Sequence, residues 1–354
     1  MFLKGKFGKH LYLNVCYNIK IMGKKSLRNR VTKSIGGKSK LTEKNKMECV
    51  MNNYNLVTKK ALLLLGTLAF LSSFGYAHDL RVLKEKTFQM KDYQNLFVEV
   101  SGADVKVENW GKQEVYVKIS GNEKAAAKLK YDVFQDGDVV RVIIKKKDSF
   151  WNWFGSNVKV EVEAFVPSKF NANVKTSGGD ITAKGISGGF SFGTSGGDIN
   201  LKNLNGKVNA ETSGGDIHLF EHKGSMYLST SGGDIICKIV AGDVKAETSG
   251  GDINVDQKEG RLFAETSGGD ITIVYSGVNK GIEASTSGGD ITAKLPSDFK
   301  AKVHLHSSGG SVKSNFNNVK TTNVKRSQLD AEYNGGGPSL RLETSGGDVH
   351  VHQK

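Results

Sequence analysis

The chain has 354 residues, among them 43 Gly but only 3 Pro, an ordinary hydrophobic content of 38% and a net charge of +14. Abundant glycine without proline excludes a Pro/Gly-rich disordered chain and points to glycines at regularly spaced turns. The charge suggests nucleic acid or an acidic membrane, but residues 1–60 carry 15 Lys/Arg against 2 Asp/Glu and leave 35 basic against 34 acidic residues elsewhere, so the body of the chain has no electrostatic reason to bind nucleic acid.

Residues 1–50 read as a basic leader, either disordered or upstream sequence included by an early start, because Met51 stands where a signal peptide would begin. Residues 51–77 have the order of a secretory signal: Lys59 and Lys60, the uncharged run 61–74, then Gly75-Tyr76-Ala77 with cleavage expected after Ala77. The apolar run falls short of the roughly 20 residues a membrane span needs. No Cys follows it at lipoprotein spacing, and Cys237 alone lies beyond the leader, so the mature chain can form no internal disulfide. The expected location is outside the cytoplasm: periplasm, cell surface or medium.

Residues 78–174 look like irregular strands, at 98–107, 115–119, 139–144 and 158–165, with a short helix at 123–130. They read as an N-terminal β cap that closes the first edge of the regular repeats, or alternatively as a separate small β domain. Within them Phe150, Trp151, Trp153 and Phe154 come after three lysines. These rings are candidates for contact with a partner, and equally for folding over the open end.

From residue 175 to 354 one phrase returns, Thr-Ser-Gly-Gly-Asp-Ile, placing Asp180, Asp198, Asp216, Asp234, Asp252 and Asp270 at intervals of 18 residues and Asp290 after a further 20. A degenerate copy has Ser311 in place of Asp, and a last copy ends at Val349. Each period holds two short alternating runs, the first beginning Ile181/Ala183, Ile199/Leu201 and so on, the second Phe190/Phe192, Val208/Ala210 and so on. One such coil cannot bury its apolar face, but coils stacked about 4.8 Å apart pair each strand with its equivalents and enclose a continuous core. The predicted fold is therefore all-β, a right-handed parallel β-helix or solenoid of about 18 residues per coil. The Gly-Gly pair marks a corner needing positive φ or close backbone approach, and the motif threonines should point inward as a ladder of hydroxyls.

The Ser-Gly-Gly-Asp-Ile ladder, the signal peptide and the irregular N-terminal strands resemble the bacterial candidate-adhesin family of envelope β-solenoids, over roughly residues 80–354. The resemblance implies a right-handed β-helix at the cell envelope. It carries over no catalytic residue. Between 313 and 342 the sequence departs from the regular pattern, with Asn-Gly-Gly-Gly-Pro at 334–338 replacing the motif.

The aspartates at Asp180, Asp198, Asp216, Asp234, Asp252, Asp270 and Asp290 are the chemically interesting set. Solvent-facing carboxylates bonded to N–H groups of their own turns are the preferred reading. A calcium ladder is the alternative, although calcium rolls carry a longer Gly-Gly-x-Gly-x-Asp turn at both corners and calcium wants six to eight oxygens. Cys237 should be a buried inert thiol, and the paired histidines His218/His222, His304/His306 and His350/His352 are expected to be exposed. No phosphate loop, nucleophile elbow or cofactor motif is present. A non-enzymatic, adhesin-like protein is expected, binding a glycan, an envelope component or a surface protein through outward residues such as Thr182, Asn200, His218, Asn254 and Thr272. Membrane contact is left open, and a polysaccharide-active β-helix enzyme is the competing class.

Overall fold

A computed structural model describes residues 80–91, 94–147 and 158–354, all within one compact unit, 78–354. The leader, the signal segment and residues 148–157, with Phe150, Trp151, Trp153 and Phe154, lie outside the described residues.

Alternation of apolar and polar residues decides the strands. Every inward residue named for the repeats is buried, while its neighbours along the strand are exposed or half-exposed. The strands stack in two walls around one apolar core, each coil giving one strand to each wall. In the motif wall Ile181, Ile199, Ile217, Ile235, Ile253, Ile271 and Ile291 pair in parallel register, one per coil. In the second wall Phe192, Ala210, Leu228, Ala246, Ala264 and Ala284 do the same. The strand Ile199–Glu211 runs from one wall into the other. Inside a parallel stack every interior strand has both edges paired, so the backbone polar groups are satisfied without a disulfide.

From residue 171 to 295 the coils follow chain order; at both ends they do not. The last coil, Ser339–Thr344 and Val349–Gln353, is slotted between the coil Ile282–Thr286/Ile291–Leu295 and the coil Ala301–Ser307/Val312–Ser314. At the other end the coil Asn95–Glu99/Asp104–Asn109 lies between Asn171–Lys175/Ile181–Lys184 and the strands Val139–Lys146/Val160–Val166. The excursions that make room for these coils become antiparallel strands: Arg81–Gln89, Glu114–Gly121 and Leu129–Asp136 at one end, Gln328–Tyr333 and Val319–Lys325 at the other. The irregular sequence at 313–342 thus holds a hairpin, Val319–Lys325 with Gln328–Tyr333, between two parallel strands. The helix expected at 123–130 stops at Lys128, capped by the Asn122 side chain, because Leu129 and Val133 turn into the core as a strand.

Candidate functional site

The motif corner is the feature the sequence repeats most strictly, and two hydrogen-bond ladders run through it. Each motif threonine is buried and, from Thr194 on, donates its hydroxyl to the second Gly carbonyl of the adjoining coil, as Thr230 does to Gly215 at 2.9 Å and Thr248 to Gly233 at 2.9 Å, while Thr176 donates to the Ala103 carbonyl in the equivalent place. The same oxygen accepts the N–H of the second Gly in its own coil, Gly233 to Thr230 at 3.3 Å. The expected hydroxyl ladder is present, but each hydroxyl bonds glycine backbone rather than another hydroxyl.

Each aspartate Oδ1 accepts the N–H of the aspartate one coil on, at 2.9 Å from Asp216 to Asp198 and 2.8 Å from Asp234 to Asp216, Asp252 to Asp234 and Asp270 to Asp252. This corrects the expectation of bonds within each turn. The carboxylate lies along the stacking axis, and the nearest free donor belongs to the neighbouring coil. Stacked like charges repel by about 0.9 kcal/mol per neighbour in water. A charge-assisted bond of roughly 1.5–3 kcal/mol offsets that.

The ladder also has rungs that the 18-residue spacing hides. It starts at Asp104, which accepts from Asp180 across 76 residues, and it passes from Asp290 to Asp348 across 58. It ends at Ser311, whose N–H and hydroxyl both reach Asp348 Oδ1. Val312–Ser314 closes the motif wall, so a carboxylate at position 311 would have no next N–H to accept. The serine is a terminator rather than a decayed copy. Asp348 is held below the usual carboxylate range, chiefly by the Ser311 N–H.

Close approach, not positive φ, explains the Gly-Gly pair, and in the middle coils only its second member. A Cβ on Gly233 would stand 2.0 Å from the Gly215 carbonyl oxygen, whereas one on Gly232 meets nothing nearer than 3.6 Å. Positive φ belongs to the opposite corner, at Gly206, Gly224, Gly242 and Gly260, and just before it at Asn203, Glu221 and Ile239. Those three left-handed residues reverse the alternation and turn Leu204, His222 and Val240 into the core. His222 is therefore buried, against the expectation of exposure, and burial lowers its pKa, the Gly206 and Leu204 carbonyls nearby offsetting only part of the cost. Neither ring nitrogen makes a well-formed hydrogen bond.

Cys237 is fully buried, its thiol pushed up to about 12 by burial. His304 and His306 share one face with ring centroids 6.5 Å apart, as do His350 and His352 at 6.1 Å. His304 sits between Asp330, 2.6 Å from Nδ1, and Glu343, 3.1 Å from Nε2, joining the terminal hairpin to the slotted coil. Among the described residues no three His, Cys, Asp or Glu side chains gather closely enough to hold a metal ion, and no helix is long and apolar enough to cross a membrane. An open hollow of about 430 Å³ lies at the positive-φ corner, lined by Asp243, Glu259, Arg261 and Lys280 with Gly242 and Gly260. Outward on the motif wall, Thr182, Asn200, His218, Asn254 and Thr272 fall in one register column with Ile236, all half-exposed.

These walls, corners and ladders define a parallel β-solenoid repeat protein with spliced ends. The chain belongs to the Toastrack DUF4097 family, whose model matches residues 93–352. Solved structures similar to it include a candidate adhesin of Bacteroides fragilis, 14% identical, covering 78% of this chain and 98% of that one at a TM-score of 0.40. A candidate lipid-binding protein of Parabacteroides distasonis is 13% identical, with coverage of 77% and 97% and a TM-score of 0.36. A candidate cell adhesion protein of Clostridium sporogenes is 14% identical, with coverage of 77% and 100% and a TM-score of 0.23. No curated protein matches the chain.

Proposed function

We propose that the chain is an exported, non-enzymatic binding protein of the cell envelope, adhesin-like in that it holds a glycan, an envelope component or a surface protein against a flat repetitive wall. The observation that carries this reading is the outward column Thr182, Asn200, His218, Ile236, Asn254 and Thr272, repeated at the coil spacing on a sheet whose inner face is fully packed. A sheet-borne row of polar side chains, broken by Ile236 alone among these six, costs little ordering entropy on binding and suits a partner that itself repeats. The signal-peptide order of residues 51–77 supports export.

Cell fractionation followed by whole-cell and glycan-array binding tests the reading. Replacing Asn200, Asn254 and Thr272 by Lys should abolish binding and leave the melting temperature in place. Binding that survives removes the wall from the account, and cleavage of any glycan on the array moves the protein to the enzymatic class. Trp151→Ala with Trp153→Ala is the separate arm for the aromatic segment: lost binding at unchanged melting assigns the contact to those rings, and lost folding assigns them to capping.

A further inference from the structure

We propose that copies of this chain associate head to tail, the strand Val319–Lys325 of one copy pairing with the strand Leu129–Asp136 of the next. These strands are the two edges of the second wall, and among the described residues each is paired on one side only, with Gln328–Tyr333 and Val139–Lys146 respectively. An unpaired edge in a stack of otherwise paired strands is a template for another chain. Of the five exposed large hydrophobic residues among those described, three are on terminal strands: Val82 and Phe134 at one end, Val324 at the other.

Directions and faces agree. Val319–Lys325 runs parallel to the interior strands of the wall, being antiparallel to a strand that is itself antiparallel to Ala301–Ser307, whereas Leu129–Asp136 runs against them. Copies translated along the axis therefore meet as an antiparallel pair. The two-residue turn at 326–327 has Lys325 exchanging hydrogen bonds with Gln328, which leaves the N–H and C=O of Val324 facing the open side. By the same alternation from the turn at 137–138, Val133 and Tyr131 face the opposite open side, and Lys84 Nζ already takes the Tyr131 carbonyl there at 2.9 Å. Setting Val324 against Val133 keeps inward residues inward.

That register fixes the charges. Lys325 falls opposite Asp132, and Lys320 opposite Asp136. The lysines are five positions apart and the aspartates four, but Thr322 is the extra residue of a bulge, so the pairing steps match. Lysine on an edge ordinarily guards against pairing; here the facing edge offers carboxylates, held in their own copy only by the surface pairs Lys130–Asp132 at 3.1 Å and Arg141–Asp136 at 3.3 Å. The two edges are different surfaces, so the association is heterologous and grows as an open chain.

Sedimentation velocity on the full chain tests this. The average mass should rise with protein concentration and fall with added salt. Lys320→Glu with Lys325→Glu, and Asp132→Lys with Asp136→Lys, should each weaken self-association by more than about a hundredfold, as like charges then face each other. An equimolar mixture of the two should regain it, because every edge again meets its opposite. Val324→Pro, which deletes the central outward N–H without touching charge, should also give monomer. A wild-type chain that stays monomeric at every concentration, association that persists in either charge variant alone, or a mixture that stays monomeric overturns the proposal.

Discussion

Asp234 Oδ1 accepts the backbone N–H of Asp252 at 2.8 Å, so a side chain in one coil holds the main chain of the next. Asp234→Ala should therefore cost about 1–3 kcal/mol by leaving that N–H without its acceptor. Asp234→Asn keeps an acceptor and removes two like-charge contacts, so it should lose less than half as much. Urea unfolding of the two variants makes the comparison; equal losses would mean that charge, not the hydrogen bond, matters at this corner.

Gly232 and Gly233 are adjacent but unequal. Gly233→Ala drives a Cβ into the Gly215 carbonyl, which no side-chain rotation can relieve, and should cost about 3 kcal/mol. Gly232→Ala meets only ordinary contacts and should change stability little. Thermal unfolding of both variants checks the difference.

Acid should act through His222. Its folded pKa is lowered by burial, so on acidification the unfolded chain takes up the proton first. Stability should fall as the pH drops below the ordinary histidine value of about 6.5, until the folded-state pKa is reached. His222→Leu, which copies Leu204 one coil earlier, should flatten the stability profile between pH 7 and 5.

At the C-terminal end Asp330 is held below the usual carboxylate range, first by its bond to His304 and then by Asn323. Its contribution is present above the ordinary carboxylate value and is lost as the pH falls through the depressed one. Protection of the strand Gln328–Tyr333 against hydrogen exchange, corrected for the slower intrinsic exchange in acid, should fall as the pH drops, and Asp330→Asn should show low protection at every pH.

Chelation of calcium should leave the melting temperature unchanged, because the aspartate ladder finds its partners in backbone N–H groups. A drop in melting temperature would revive the calcium reading.

The regular part of the fold was legible because a period of 18 with two alternating runs permits few other ways to bury Ile199 with Leu201 and Val208 with Ala210. The corner chemistry was legible only in outline. Which neighbour the Asp216 carboxylate bonds depends on its direction relative to the stacking axis, and no spacing encodes that. The order of the terminal coils was hidden for a different reason: the partial motif Ser101-Gly102-Ala103-Asp104-Val105 and the last copy, with Asp348, mark these residues as rungs, not between which rungs they stand. Ser311 was the one local sign, since a rung without a carboxylate is suited to the end of the row. His222, expected to be exposed with the other paired histidines, turns inward because the left-handed backbone at Glu221 inverts the strand's alternation, which residue type and pair spacing do not encode.

The splice at each end bears on how such a protein changes length. Both terminal coils are locked between neighbours that precede and follow them in the stack, so neither end can gain a layer without rebuilding its hairpins. At the motif corner the stretch from 196 to 268 meets its neighbours through one recurring set of bonds. Duplicating or deleting 18 residues there leaves both closures untouched, and growth of the molecule is confined to its middle.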